Sequence, residues 1–190
     1  MAADSFADRM RGRRVGVLAC LGYALFLAAN ATAVWGGVFP FLPLDIQTPV
    51  MISAFFAAQA SAFALRFAVG AVLAYVWPRT ARTFHPVGVS LVYAAGWLCL
   101  IVLPYVEDTG ILVGDAPVLA VWGGVLIGWA TASFFLAWQR LFAAQDRGAA
   151  STQIIAANVL APVFYALLLL IPQAVTALLV TFVINNTRAH

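Results

Sequence analysis

Apolar runs long enough to cross a lipid bilayer follow one another along this chain, and arginines mark every second interval between them. No other feature constrains the fold as strongly. A hydrocarbon core about 30 Å thick takes about 20 apolar residues in helical form. Backbone polar groups placed at that depth must be satisfied within the protein, which a helix achieves inside its own segment. Runs at residues 15–39, 49–76, 87–103, 117–138 and 152–171 meet or approach that length. The expected fold is all-α, a polytopic membrane helical bundle.

Proline and aromatic residues set the expected helix ends. Phe39-Pro40-Phe41-Leu42-Pro43 closes the first run, and Trp77-Pro78-Arg79 closes the second, because proline removes a helical donor and aromatic rings suit the membrane interface. The second helix starts at Thr48 or Pro49, proline being tolerated in a first turn. Pro104 is expected to close the third helix and Pro117 to open the fourth. A loop is expected over residues 139–151. One helix over residues 151–184 would be about 51 Å long, too long for a single crossing. A hairpin at Ile171-Pro172-Gln173 is therefore preferred, although its second arm, residues 174–184, reaches only about 17 Å.

Orientation follows from the arginines. With the N-terminus inside, the inner segments collect Arg9, Arg11, Arg13, Arg14, Arg79, Arg82, Arg140, Arg147 and Arg188. The outer segments collect none and hold Glu107, Asp108 and Asp115 instead. Positive residues stay cytoplasmic, so six transmembrane segments with both the N-terminus and the C-terminus cytoplasmic are expected. Residues 1–14 form a basic tail, residues 15–185 the six-helix membrane domain, and residues 186–190 the cytoplasmic end. The polar, arginine-bearing start resembles a signal peptide, but its apolar run is longer than a signal core and reads as a retained helix.

The residue types present narrow the function. All ten basic residues are arginines, with no lysine, and they sit in short clusters beside apolar runs. That pattern encodes topology, and direct nucleic-acid contact by this chain is not expected. Cys20 and Cys99 fall at different depths and are poor disulfide partners, and His85 and His190 are isolated, so no metal site and no cofactor are expected. Every acidic residue lies in a loop or the tail, which disfavours a pump that relies on an intramembrane carboxylate. With no nucleophile elbow, phosphate loop or metalloprotease motif, the chain reads as a non-enzyme.

Four polar residues inside the runs are the candidate ligand-binding set. Arg66 comes first, because an arginine at membrane depth is costly and marks function by default. Gln59 lies seven residues earlier and Gly70 four later on the same face, which suggests a polar cavity for an anionic ligand. The structural alternative is an arginine snorkelling or bonding neighbouring carbonyls. Asn30 and Asn158, near the middle of the first and fifth helices, either join that cavity or tie helices together. Gly124, Gly128 and Ala132 form a small-residue stripe expected to pack against another helix. Trp35, Trp77, Trp122 and Trp138 are expected at the interfaces, and Trp97 and Trp129 lie deeper.

Six segments with both ends inside match half of a major-facilitator fold. In that superfamily the loop after the second helix carries a Gly/Asp-rich basic motif; Trp77-Pro78-Arg79-Thr80-Ala81-Arg82-Thr83 keeps the arginines and lacks the glycine and aspartate. The run Phe134-Phe135-Leu136-Ala137-Trp138-Gln139-Arg140-Leu141-Phe142-Ala143-Ala144-Gln145-Asp146 is more specific. With Ala161-Pro162-Val163-Phe164-Tyr165 and Leu170-Ile171-Pro172-Gln173-Ala174-Val175-Thr176-Ala177, it resembles the membrane domain of actinobacterial LuxR-type transcription regulators. The resemblance implies a sensory or scaffold domain in a bacterial cytoplasmic membrane, coupled to a C-terminal helix-turn-helix. Only Asn185-Asn186-Thr187-Arg188-Ala189-His190 follow Ile184, too few for that module, so a truncated or partial regulator is expected. The partners expected are the bilayer and either a second six-helix half or a second copy. The alternative is a small transporter-like protein working as a dimer of six-helix units.

Overall fold

The computed structural model describes residues 16–31, 42, 46–77, 85–106, 112–113 and 116–169. Among them are five helices, α1 (Gly16–Ala31), α2 (Pro49–Val76), α3 (Pro86–Val106), α4 (Val118–Ala143) and α5 (Arg147–Leu169). Four of them, α2 to α5, are long and apolar enough to cross a membrane. The basic tail, Trp35, Arg79, Arg82, the hairpin at Pro172 and the C-terminal end all lie outside the described residues.

Local chemistry explains where the helices begin and end. Thr48 caps α2 by accepting the Met51 N–H at its hydroxyl (3.1 Å), with Pro49 in the first turn, where no donor is lost. Ahead of the cap, the Gln47 side chain donates to the Leu42 carbonyl at 2.8 Å. At the far end the Trp77 N–H bonds the Leu73 carbonyl. Three boundaries differ from the sequence expectation. Pro104 sits inside α3 near its end, where buried Leu100 and Leu103 hold the last turn against the core. Pro117 belongs to β2 (Ala116–Pro117), which pairs antiparallel with β1 (Leu112–Val113), Leu112 facing Pro117, and α4 starts one residue later.

The third difference is the largest. In place of a loop over residues 139–151, α4 runs on to Ala143 and α5 starts at Arg147, leaving a three-residue turn. Asp146 caps α5: its carboxylate accepts the N–H groups of Gly148 (3.1 Å) and Ala149 (3.3 Å). An aspartate at this position satisfies otherwise orphaned donors and complements the positive end of the helix dipole. Helices that extend past the hydrocarbon need no apolar surface there, so hydropathy alone places their ends too early.

The core is built around α4. In its most apolar stretch 56% of residues are buried, against 11% for α2, 33% for α3 and 6% for α5. Close backbone approach makes this possible. A Cβ on Gly124 would lie 2.5 Å from the Phe55 carbonyl oxygen, and one on Gly128 would overlap the Gln59 carbonyl. The neighbour of the glycine stripe is thus α2 of the same chain, and Ala132 is fully buried further along α4. On the opposite side Gly96 of α3 supplies the same closeness, a Cβ there meeting Ile127 at 2.7 Å.

Pairs of contacts also give the helix directions. Phe55 meets Gly124 and Gln59 meets Gly128, so α2 and α4 run parallel. Tyr93 packs on Phe134 while Gly96 packs on Ile127, so α3 runs against α4. Phe26 packs on Phe134 and Phe135, and Tyr23 on Trp138 and Phe142, so α1 also opposes α4. Direction alternates along the chain from α1 to α4. Trp97 is buried in the core, Trp138 is partly buried against Tyr23 and Phe142, and Trp77 and Trp122 are exposed.

Candidate ligand cavity

Between α1, α2, α4 and α5 lies a cavity of about 640 Å³, within the size range of small-molecule sites. Gln59, Asn30 and Asn158, three residues of the candidate set, line it together. Arg66 is not among its lining residues.

Arg66 is engaged elsewhere. Its Nε donates to the Ser133 hydroxyl at 2.8 Å, and that hydroxyl donates to the Trp129 carbonyl at 2.9 Å. The guanidinium carbon stands 5.5 Å from the centre of the Trp129 ring, a cation–π distance. The side chain lies back along its own helix towards Gly70, where a Cβ would be 3.2 Å from an Arg66 guanidinium nitrogen. The arrangement ties α2 to α4 and gives the charge partners inside the bundle.

Asn30 is likewise occupied in part. Its amide nitrogen donates to the Phe26 carbonyl (2.8 Å), and its side-chain oxygen accepts from the Thr131 hydroxyl (2.9 Å). This link between α1 and α4 forms one wall, with Leu27 and Ala31 beside it.

Gln59 differs. It is 6% exposed and lines the cavity, yet no hydrogen bond among the described residues engages its side-chain amide. Its amide atoms are accessible at the cavity surface, so both its donors and its acceptor remain available to whatever fills the space. Phe56, Ala60 and Phe63 flank it on α2, and Phe135 faces it from α4.

The fourth wall, α5, adds further uncharged polar groups. Asn158 donates to the Ile154 carbonyl at 2.8 Å, which leaves its side-chain oxygen without a partner among the described residues. Pro162 stands four residues on and has no N–H, so the Asn158 backbone carbonyl loses its helical donor. Tyr165 brings a hydroxyl one turn further. Among the described residues the lining carries no ionisable carboxylate, arginine or histidine. Its chemistry is apolar surface plus a few neutral donors and acceptors.

Exposed lining residues mark the mouth. Ala60 on α2 and Asn158 and Pro162 on α5 are exposed, whereas Gln59, Asn30 and Thr131 are buried behind them. Asn158 is about 17 Å along α5 from its start, so the opening is at mid-helix depth and not at a helix end.

Sequence reasoning identified the polar members and missed the aromatic walls, Tyr165 and the role of Pro162. The signal for the last was present: Asn158 and Pro162 are separated by four residues, the spacing at which proline frees a carbonyl. Ser133, three residues before Leu136 in a run of small and aromatic residues, carried no such mark. Compared with protein families, curated proteins and solved structures, the chain finds no match.

Proposed function

We propose that this chain is a membrane-embedded sensory or scaffold domain of a LuxR-type transcription regulator, working by ligand-biased rearrangement of α5 against the packed α1–α2–α4 wall. The observation that carries the sensory reading is the cavity itself, closed on one side by the least buried of the four described long helices. A ligand bridging Gln59 on α2 and Asn158 or Tyr165 on α5 favours one position of α5 over others, and such differential contact is what shifts a conformational equilibrium. The regulator identity rests on the resemblance of residues 134–146, 161–165 and 170–177.

The topology proposed with it has six spans and both ends cytoplasmic. Arg140 and Arg147 flanking the tight α4–α5 turn support the inner placement of that turn. Reporter fusions at Asp108 and His190 should read outside and inside; the reverse result removes the six-span arrangement. Coding sequence that continues beyond His190 into further apolar runs and a helix-turn-helix would support the regulator, and a stop codon there with stable expression would count against it.

The mechanism is tested with spin labels at Leu18 on α1 and Ile155 on α5, in a background lacking Cys20 and Cys99, reconstituted in nanodiscs. Addition of 1-decanol as a neutral probe is expected to shift the α1–α5 distance distribution while a control pair at Leu18 and Trp122 stays constant. An unchanged α1–α5 distribution with bound probe would overturn it. Solute uptake by vesicles holding only this chain would replace it with the transporter-like reading.

A further inference from the structure

We infer that the cavity takes an uncharged amphiphile, one carbonyl, hydroxyl or amide group on an apolar body, which enters sideways from the bilayer between α2 and α5. The assignment deepens the sensory reading and rests on the same cavity. Three independent observations carry it.

The first is the unpartnered amide of Gln59. It is buried, it borders the cavity, and it offers two donors and one acceptor with no partner among the described residues. Its amide atoms stay accessible at the cavity surface, where a ligand can supply the missing bond. The second is charge. Arg66, at membrane depth on the same helix, is committed to Ser133 and Trp129 and is not part of the lining. An anion placed in the cavity would lose its hydration and gain no cation from the described lining residues. A neutral ligand has no such cost. The third is access. The exposed lining residues Ala60, Asn158 and Pro162 put the mouth at mid-helix depth, where the surrounding medium is hydrocarbon. Molecules concentrated there are apolar ones with at most a small polar group.

In the bound state the polar group meets the Gln59 amide at the inner end, and the apolar body lies along Phe56, Phe63 and Phe135 towards the mouth. The Asn158 side-chain oxygen and the Tyr165 hydroxyl give α5 its own contact to the same molecule. A hydrocarbon tail alone would leave Gln59 unbonded, and a carboxylate would face no positive group among the described lining residues.

The test uses the purified chain in proteoliposomes with two diazirine-bearing probes of equal length, a long-chain alcohol and the corresponding fatty acid at a pH where it is ionised. Mass spectrometry of the photolabelled protein locates the adducts. The alcohol is expected to label the segments around Gln59 and Asn158, with the carboxylate labelling them much less. Gln59→Leu is expected to reduce that labelling about five- to tenfold, the worth of one hydrogen bond, without lowering thermal stability, since it removes an unpartnered polar group. Ala60→Phe, at an exposed position on the mouth, is expected to reduce labelling without touching the core. Equal labelling by both probes, or labelling indifferent to Gln59→Leu and Ala60→Phe, would overturn the assignment. Competition separates the two sources of such a ligand: 1-decanol displacing the probe points to a free single-chain amphiphile, dioleoylglycerol to a membrane lipid, and displacement by neither overturns the proposal. Site-specific labelling without movement of α5 would leave this ligand class standing and remove the sensory mechanism.

Discussion

Helices α4 and α5 adjoin across a three-residue turn, are similar in length and are both apolar, yet one is the centre of the bundle and the other its loosest member. The difference lies in small residues and their facing partners. In α4, Gly123, Gly124, Gly128 and Ala132 let neighbouring backbones approach, and Phe134 receives rings from both α1 and α3. In α5 only Ala157 is buried among the described side chains, and Ile155, Val159, Val163 and Leu167 form an exposed stripe at four-residue spacing. In lipid, apolar side chains gain little by meeting one another, so close packing of small residues decides which helices associate. Apolarity brings both helices into the membrane, and steric fit sorts them once there.

The contrast can be broken most sharply at Gly128. Gly128→Val forces α2 away from α4 at the Gln59 carbonyl and is expected to cost about 3 kcal/mol. Loss of a monodisperse peak after detergent extraction is the readout, and a variant that keeps the wild-type melting temperature would show that α4 is not packed as described. Next comes Ser133→Ala, which leaves the Arg66 guanidinium without its hydroxyl partner and is expected to cost about 1.5–3 kcal/mol. Arg66→Leu should cost less than Ser133→Ala, because it removes the intramembrane charge together with its bonds. Comparison of the two melting curves checks the order.

A smaller effect is expected at the α1–α4 link. Thr131→Val removes the bond to Asn30, and hydrogen bonds between membrane helices average about 0.6 kcal/mol; a thermal shift of a degree or two in detergent is the expected scale. On α5, Val159→Leu and Val163→Leu change only exposed positions and should stay within about 0.5 kcal/mol. A large destabilisation there would mean that a partner covers this face, and cross-linking between copies would then identify whether it is the same chain.

Much of the architecture was legible from residues. The start of α2 at Thr48-Pro49 and its end at Trp77 follow from capping and proline chemistry and agree with the structure. The stripe on α4 was readable as a packing surface, because small residues at four-residue spacing have few other uses in a membrane helix. The α4–α5 turn was not, since the expected ends followed hydropathy while Asp146 set the actual one. For the cavity, Asn30, Gln59 and Asn158 were visible as polar residues out of place in apolar runs. Arg66 was visible for the same reason and stands apart, because its partner Ser133 is 67 residues away in sequence and nothing local announces it.

By itself the sequence determined that the chain forms long apolar helices, since an apolar run of about 20 residues crosses a bilayer as a helix that bonds its own backbone. It also determined which polar residues lie within those helices. Which of them face a shared space, and which are satisfied by a neighbour, was decided by the tertiary structure alone. The physical reason is that an intramembrane polar group must find a partner, and the partner's position depends on helix approach distances set by glycines and rings on other segments. Arg66 found Ser133 and Trp129; Gln59, seven residues away on the same helix, was left facing the cavity.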